Sequence, residues 1–263
     1  MNLVRMFKGH FFFISTMVVV LSFVAGFFFK VNAGGNFPPI TVMQIDTGVD
    51  YEISAIGDYI PEKYKIKENM DRQGHGTNVA GIILDGVCEQ VKLIPCNYYG
   101  NPFNRFDPLE KEVECLRQAA AMDIDIINFS GGGALPDERE FALLKKMDKK
   151  NVVVIVAAGN DGQEISLSND VTALKKKIKA HKTGGKFYYF PASYDLKNVI
   201  KVSNYQGAWR DENSNYATGF VKEDGNAVYS WAPGGSIQAM SGTSQSTAKF
   251  TNKVLKAICN LYK

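Results

Sequence analysis

His75 stands between two glycines in Asp71-Arg72-Gln73-Gly74-His75-Gly76-Thr77-Asn78-Val79-Ala80-Gly81-Ile82-Ile83, a setting that neither His10 nor His181 shares. An imidazole with an ordinary pKa near ~6.5 is the side chain best suited to moving protons at neutral pH. Glycine on both sides lets the backbone turn tightly and lets a second chain approach the ring. Ala80 and Gly81 let a helix that begins near His75 lie close against a sheet. A lone histidine is as readily a core residue with one satisfied hydrogen bond. The general-base reading therefore needs a nucleophile and an orienting carboxylate from elsewhere in the chain.

Asp46 supplies the carboxylate, at the C-terminal end of the apolar run that leads into Gln44-Ile45-Asp46-Thr47-Gly48. In open α/β sheets that end of a strand is where ligands gather. Asp-Thr-Gly also marks aspartic peptidases, but those are all-β and need a second copy from the chain or a dimer mate; this chain has no second copy, and its βα alternation opposes that fold. Ser244, in Met240-Ser241-Gly242-Thr243-Ser244-Gln245-Ser246-Thr247, begins the last helical stretch. A hydroxyl there sits beside unpaired backbone N–H groups and the positive end of the helix dipole, which favour an oxyanion. The motif is not Gly-x-Ser-x-Gly, so a lipase-type elbow is disfavoured. Val156-Ala157-Ala158-Gly159-Asn160-Asp161-Gly162 ends a strand in small residues that leave room for a substrate side chain, and the Asn160 amide could donate to an oxyanion. Ile127-Asn128-Phe129-Ser130-Gly131-Gly132-Gly133 ends another strand with open backbone, suited to pairing with an extended peptide.

Asp46, His75, Asn160 and Ser244, in that order and each in its local motif, resemble the subtilisin-like serine peptidases, with a match from about Val42 to Ala248. The resemblance implies a triad: His75 takes the proton of Ser244, Asp46 fixes the imidazole tautomer, and Asn160 with the Ser244 backbone N–H holds the oxyanion. It also implies that Ser130, Gly131 and Gly132 pair with substrate backbone. Ala157, Ala158 and Gly159 would wall the specificity pocket, and the bond before Pro191 would be cis. The expected activity is that of an endopeptidase acting on peptides or proteins, without metal or cofactor. The competing reading is a peptide-binding module that keeps the fold without the catalysis.

Several features depart from the family pattern. Gln245-Ser246-Thr247-Ala248 stands where Met-Ala-Ala-Pro is usual, and Asn78 replaces a second histidine. The stretch 81–91 is short and offers only Asp85 and Glu89 to a calcium ion, so none is expected there. Only Gly34 to Ile45 separate the proposed processing point from Asp46, too little for a pro-domain, so either the domain folds unaided, the favoured expectation, or a separate protein supplies the help.

To hold these residues together, short apolar runs alternate with helical stretches, which predicts a doubly wound, mostly parallel sheet covered on both faces. Strands are predicted at 40–45, 91–97, 124–129, 151–157, 198–203 and 227–231, and helices at 76–86, 108–121, 137–149 and 244–261. Within 163–187, Val171, Leu174 and Ile178 form one stripe and Lys175, Lys176, Lys177, Lys179 and Lys182 cover the other face. That basic face is either solvated or a selector of acidic substrates or anionic lipid.

Residues 1–33 read as an N-terminal signal or anchor helix, and 34–263 as one peptidase domain. Arg5 and Lys8 precede the uncharged run 11–29, and Val31-Asn32-Ala33 offers a processing site. The run is long for a signal core and nearly long enough to span a bilayer, so cleavage and retention both stand. Either places the rest outside the cytoplasm, secreted or periplasmic, with membrane association through 11–29 if the helix is kept. The chain has 30 basic and 27 acidic side chains. Arg5, Lys8 and Lys30 lie in the first 33 residues, so the remainder is balanced and nucleic acid is not an expected partner. A monomer is expected. Cys88, Cys96, Cys115 and Cys259 allow two disulfides in any of three pairings, or buried free thiols.

Overall fold

The computed structural model describes residues 38–99 and 107–262. The expected signal or anchor at 1–33, with its apolar run 11–29, lies outside them. Among the described residues no helix is long and apolar enough to cross a membrane. In chain order the elements are β1 (Ile40–Asp46), a single turn α1 (Ser54–Gly57), α2 (His75–Leu84), β2 (Val91–Asn97), α3 (Pro108–Ala121), β3 (Ile126–Phe129), α4 (Glu138–Lys149), β4 (Val153–Ala157), α5 (Val171–Lys179), β5 (Val199–Gln206), β6 (Trp209–Arg210), β7 (Val221–Glu223), β8 (Val228–Ala232), β9 (Ser236–Met240) and α6 (Thr243–Cys259).

The central strands are continuous apolar runs because helices cover both of their faces. They line up as β2-β1-β3-β4-β5, all parallel, with β7 parallel to β5 and β6 antiparallel to its end. On one face Met43, Ile45, Ile127, Val154 and Val156 meet Leu116, Leu144 and Met147 from α3 and α4. On the other, Val42, Ile126 and Ile155 meet Val79 and Ile83 of α2 and Leu255 and Ile258 of α6. Chain order reverses between β1 and β3, and the crevice at such a switch point, beyond the carboxyl ends of the strands, is where ligands bind. Asp46 ends β1, and Ser130 follows β3.

The predicted strands and helices are all present, with ends shifted by up to three residues, except that the basic stretch forms only α5. The strand predicted at 227–231 is present as β8, in a separate antiparallel hairpin with β9 that does not join the main sheet. Strands β6, β7 and β9 were not foreseen, since they are short and mostly exposed, with no apolar run to mark them. The cysteines pair as Cys88–Cys259 and Cys96–Cys115. The bond between Phe190 and Pro191 is cis.

Helix starts divide into two kinds. Asp107, Asp137 and Asp170 cap α3, α4 and α5, accepting from the backbone N–H of Leu109, Arg139 and Ala173. Helices α2 and α6 begin instead after Gly74 and Gly242, with no capping side chain at that position. These two helices carry His75 and Ser244.

Candidate active site

Asp46 is 2 % exposed at the end of β1. Its Oδ1 accepts from the Thr47 backbone N–H and meets His75 Nδ1, both at 2.7 Å. A carboxylate can only accept, so the imidazole proton belongs on Nδ1 and Nε2 is left as a base. Gly76 permits this approach: a Cβ there would lie 3.1 Å from Asp46 Oδ1 and would overlap the Gly48 carbonyl oxygen. Burial opposes the charged imidazolium, but Asp46, through charge and hydrogen bond, and the charge of Asp71 together raise the His75 pKa above its ordinary value.

Asp71 is the organising residue that motif reading passed over. It is 4 % exposed. Its Oδ1 accepts from the backbone N–H of Gln73 and Gly74 and from Thr47 Oγ1, each at 2.9 Å. Its Oδ2 accepts from the Thr77 N–H at 2.8 Å and from Thr77 Oγ1 at 2.6 Å. Thr47 Oγ1 in turn accepts from Gly76 N–H at 2.8 Å. The first turn of α2 is thus capped from outside, by a carboxylate and a threonine that also hold the Asp46 loop. The signal available in the sequence was a buried-type acid four residues before His75.

Ser244 is 8 % exposed in the first turn of α6. Its Oγ donates to the Ser130 carbonyl oxygen at 3.1 Å, and no hydrogen bond joins it to His75. The second residue of a helix has no intrahelical acceptor for its N–H, so that of Ser244 is available to a ligand. Asn160 Oδ1 accepts from the Thr243 backbone N–H (3.0 Å) and Thr243 Oγ1 (3.1 Å). A backbone N–H can only donate, which fixes the amide orientation and leaves Nδ2 as the free donor. Gly159 N–H donates to Thr243 Oγ1 at 3.1 Å, so the end of β4 and the start of α6 are tied together.

Two departures from the family pattern turn out to be partners. Gln245 Nε2 donates to Asn78 Oδ1 at 3.3 Å, and Asn78 Nδ2 donates to the Gln238 carbonyl at 3.1 Å. This buried amide pair joins the helix of His75 to the helix of Ser244.

Ser130 Oγ accepts from Asn128 Nδ2 at 3.0 Å and donates to the Ser244 carbonyl at 3.3 Å. Gly131 and Gly132 follow outside any strand or helix, and Gly133 bridges Phe190. Ala157 and Ala158 are buried, with Ala158 N–H on the Val202 carbonyl and its own carbonyl accepting from Asn215 Nδ2. Of the basic face, Lys175 reaches Glu138 at 3.4 Å and Asp137 at 3.8 Å. Asp85 accepts from Lys256 Nζ at 3.3 Å.

The subtilase family model matches residues 40–259, and the chain belongs to that family. Subtilisin-like protease 3 of Plasmodium falciparum is 29 % identical over 146 residues, covering 51 % of this chain and 18 % of its own. Subtilisin-like protease 1 of Arthroderma otae is 26 % identical over 225 residues, covering 79 % of this chain and 41 % of its own. The chain therefore spans less than half the length of these relatives. Among solved structures, the epidermin leader peptide processing serine protease of Staphylococcus aureus superposes with a TM-score of 0.66 at 21 % identity, over 85 % of this chain and 66 % of that one. This likeness establishes the subtilisin-like α/β fold. The aspartic-peptidase reading of Asp46-Thr47-Gly48 falls with it.

Proposed function

We propose that residues 34–263 act as an exported serine endopeptidase that cleaves peptide bonds through an acyl-enzyme. The observation that carries this reading is the 2.7 Å contact between His75 Nδ1 and Asp46 Oδ1 at the switch point of the sheet. As Ser244 Oγ bonds to the substrate carbonyl carbon, its proton passes to His75 Nε2. For this the hydroxyl leaves the Ser130 carbonyl and turns to the imidazole, a hydrogen bond that enzymes commonly complete only with substrate bound. The new oxyanion is received by the Ser244 N–H and Asn160 Nδ2. The imidazolium then protonates the leaving amine, and water, deprotonated by the same nitrogen, releases the acid and restores Ser244.

Ser130, Gly131 and Gly132 would carry the substrate backbone. Two disulfides and the basic-then-apolar start of the chain support an oxidising, extracytoplasmic location. The expected partner is a peptide or protein, bound by a monomer.

A fluorophosphonate probe tests the chemistry. Covalent labelling of the wild type, lost in Ser244→Ala and in His75→Ala while near-ultraviolet dichroism stays native, is the expected result. Peptide binding without labelling or hydrolysis would instead favour a non-catalytic binding module.

A further inference from the structure

The gap between segments 130–133 and 157–159 is where a substrate side chain would enter once the peptide backbone lies along Ser130–Gly132. Small residues clear this gap, but a third segment returns a large one to it. Tyr189 is held by its backbone on both sides: its N–H donates to Ser193 Oγ at 2.8 Å, and its carbonyl accepts from Ser193 N–H at 2.7 Å. The next residue, Phe190, exchanges two hydrogen bonds with Gly133, at 2.7 and 2.8 Å. The backbone of Tyr189 is therefore fixed, and its ring packs, partly buried, against the core cluster.

Its position follows from the two glycines that face it. A Cβ on Gly132 would lie 2.6 Å from Tyr189 Cε1 and 2.9 Å from Cζ. A Cβ on Gly159 would lie 3.0 Å from Cδ1 and from Cε1 of the same ring. One edge of one ring thus touches both walls of the gap. Gly132 (φ 156) and Gly159 (φ 94) also hold backbone angles in the region that favours glycine. Burial first, then Tyr99, Asp161 and Glu112, push the phenol pKa up, so the ring presents a neutral surface.

We propose that Tyr189 is a specificity-determining residue whose ring floors this pocket and limits cleavage to bonds that follow glycine, alanine or serine. The proposal rests on the peptidase reading of the site. A ring set against both walls leaves depth for a methyl or hydroxymethyl group, whereas a leucine or phenylalanine side chain would need the ring to move. A difference of even one methylene in such a pocket alters specificity by roughly 10–200-fold.

The test uses peptidyl diphenyl phosphonates that differ only in the terminal side chain: methyl, isobutyl or benzyl. A small fluorophosphonate with no side chain serves as reference for Ser244. The expected result is that the methyl compound inactivates the wild type at least about tenfold faster than the benzyl one. In Tyr189→Gly that ratio should fall by about tenfold or reverse, after normalisation to the reference probe. A wild type that reacts faster with the benzyl compound overturns the proposal, and needs no variant to do so. An unchanged ratio in folded Tyr189→Gly, or in Tyr189→Leu should the glycine variant fail to fold, overturns it as well. Failure of the reference probe to label folded wild type would remove the peptidase reading itself, and this proposal with it.

Discussion

Asn160 illustrates how a single anchored atom makes a side chain useful. Thr243 occupies its oxygen, so the nitrogen is held as a donor, and in the proposed reaction no reorganisation of this side chain would be needed. Asn160→Ala should lower kcat by roughly 10²–10³ with little change in KM, the order for one oxyanion donor. An equal rise in KM at constant kcat would instead mark Asn160 as a ground-state contact. His75 has its own signature. In the proposed role it can act as a base only when neutral, and Asp46 and Asp71 raise its pKa against the effect of burial. The rising limb of kcat/KM should therefore lie above the ~6.5 of an ordinary imidazole. The native state holds this proton more tightly than the unfolded chain, so the stabilisation is complete below the unfolded pKa and lost as pH climbs through the native one. A rising limb below ~6.5 would contradict this. Asp46, His75, Asn160 and Ser244 stand out in the sequence as candidates because each sits in a distinctive local string. Asp71 and Tyr189 do not, because the contacts that single them out are made with residues that only folding brings to them.

At the scale of elements, the buried strands were legible from their unbroken apolar runs, while the edges and the hairpin lacked that signal. A polar cluster between α3 and α4 was equally hidden. Glu112 of α3 and Glu140 of α4 lie in one buried site, each with its Oε1 left without a hydrogen-bond partner, while Tyr194 Oη donates to Glu140 Oε2 at 2.6 Å. Burial first, then the neighbouring Glu140 and the charge of Asp137, raise the Glu112 pKa well above the usual range. Burial likewise raises that of Glu140, against the effects of Glu112 and of the Tyr194 hydrogen bond. Asp137 stays charged nearby because Arg139 pairs with it, and Arg139 also binds Glu110. The folded state binds protons here that the unfolded state releases. Stability should thus fall as pH rises from the ordinary carboxylate pKa through the raised values. Glu140→Gln should flatten the decline in Tm between about pH 5 and pH 8 and raise Tm at the upper end, by about 2–4 °C per kcal/mol relieved. A variant that keeps the wild-type slope would show that the pair carries no shared proton.

For the molecule as a whole, the pairing of four cysteines could not be read in advance, since three connectivities were open and the choice depends on where α2 and α6 end. Cys88–Cys259 closes a separation of 171 residues and Cys96–Cys115 one of 19. Loop-closure entropy assigns about 5 kcal/mol to the first and about 3 kcal/mol to the second. Replacing Cys88 and Cys259 by serine should therefore lower the denaturation midpoint more than replacing Cys96 and Cys115. Equal or reversed losses, measured with Ser244→Ala to prevent self-digestion, would mean that strain or residual unfolded structure outweighs entropy.

The longer bridge has a mechanical side too. It fastens the far end of α6 to the turn beyond α2, while His75 and Ser244 sit at the opposite tips, so the two helices resemble the tines of a fork joined at the base. From Cys259 to Ser244 the tine is about 22 Å long at ~1.5 Å per residue. Tilting it by about 3° would carry the tip about 1 Å, a misplacement that can cost about 10² in rate. Cutting the base with a reductant should then detune the enzyme before it unfolds, with kcat falling while dichroism holds.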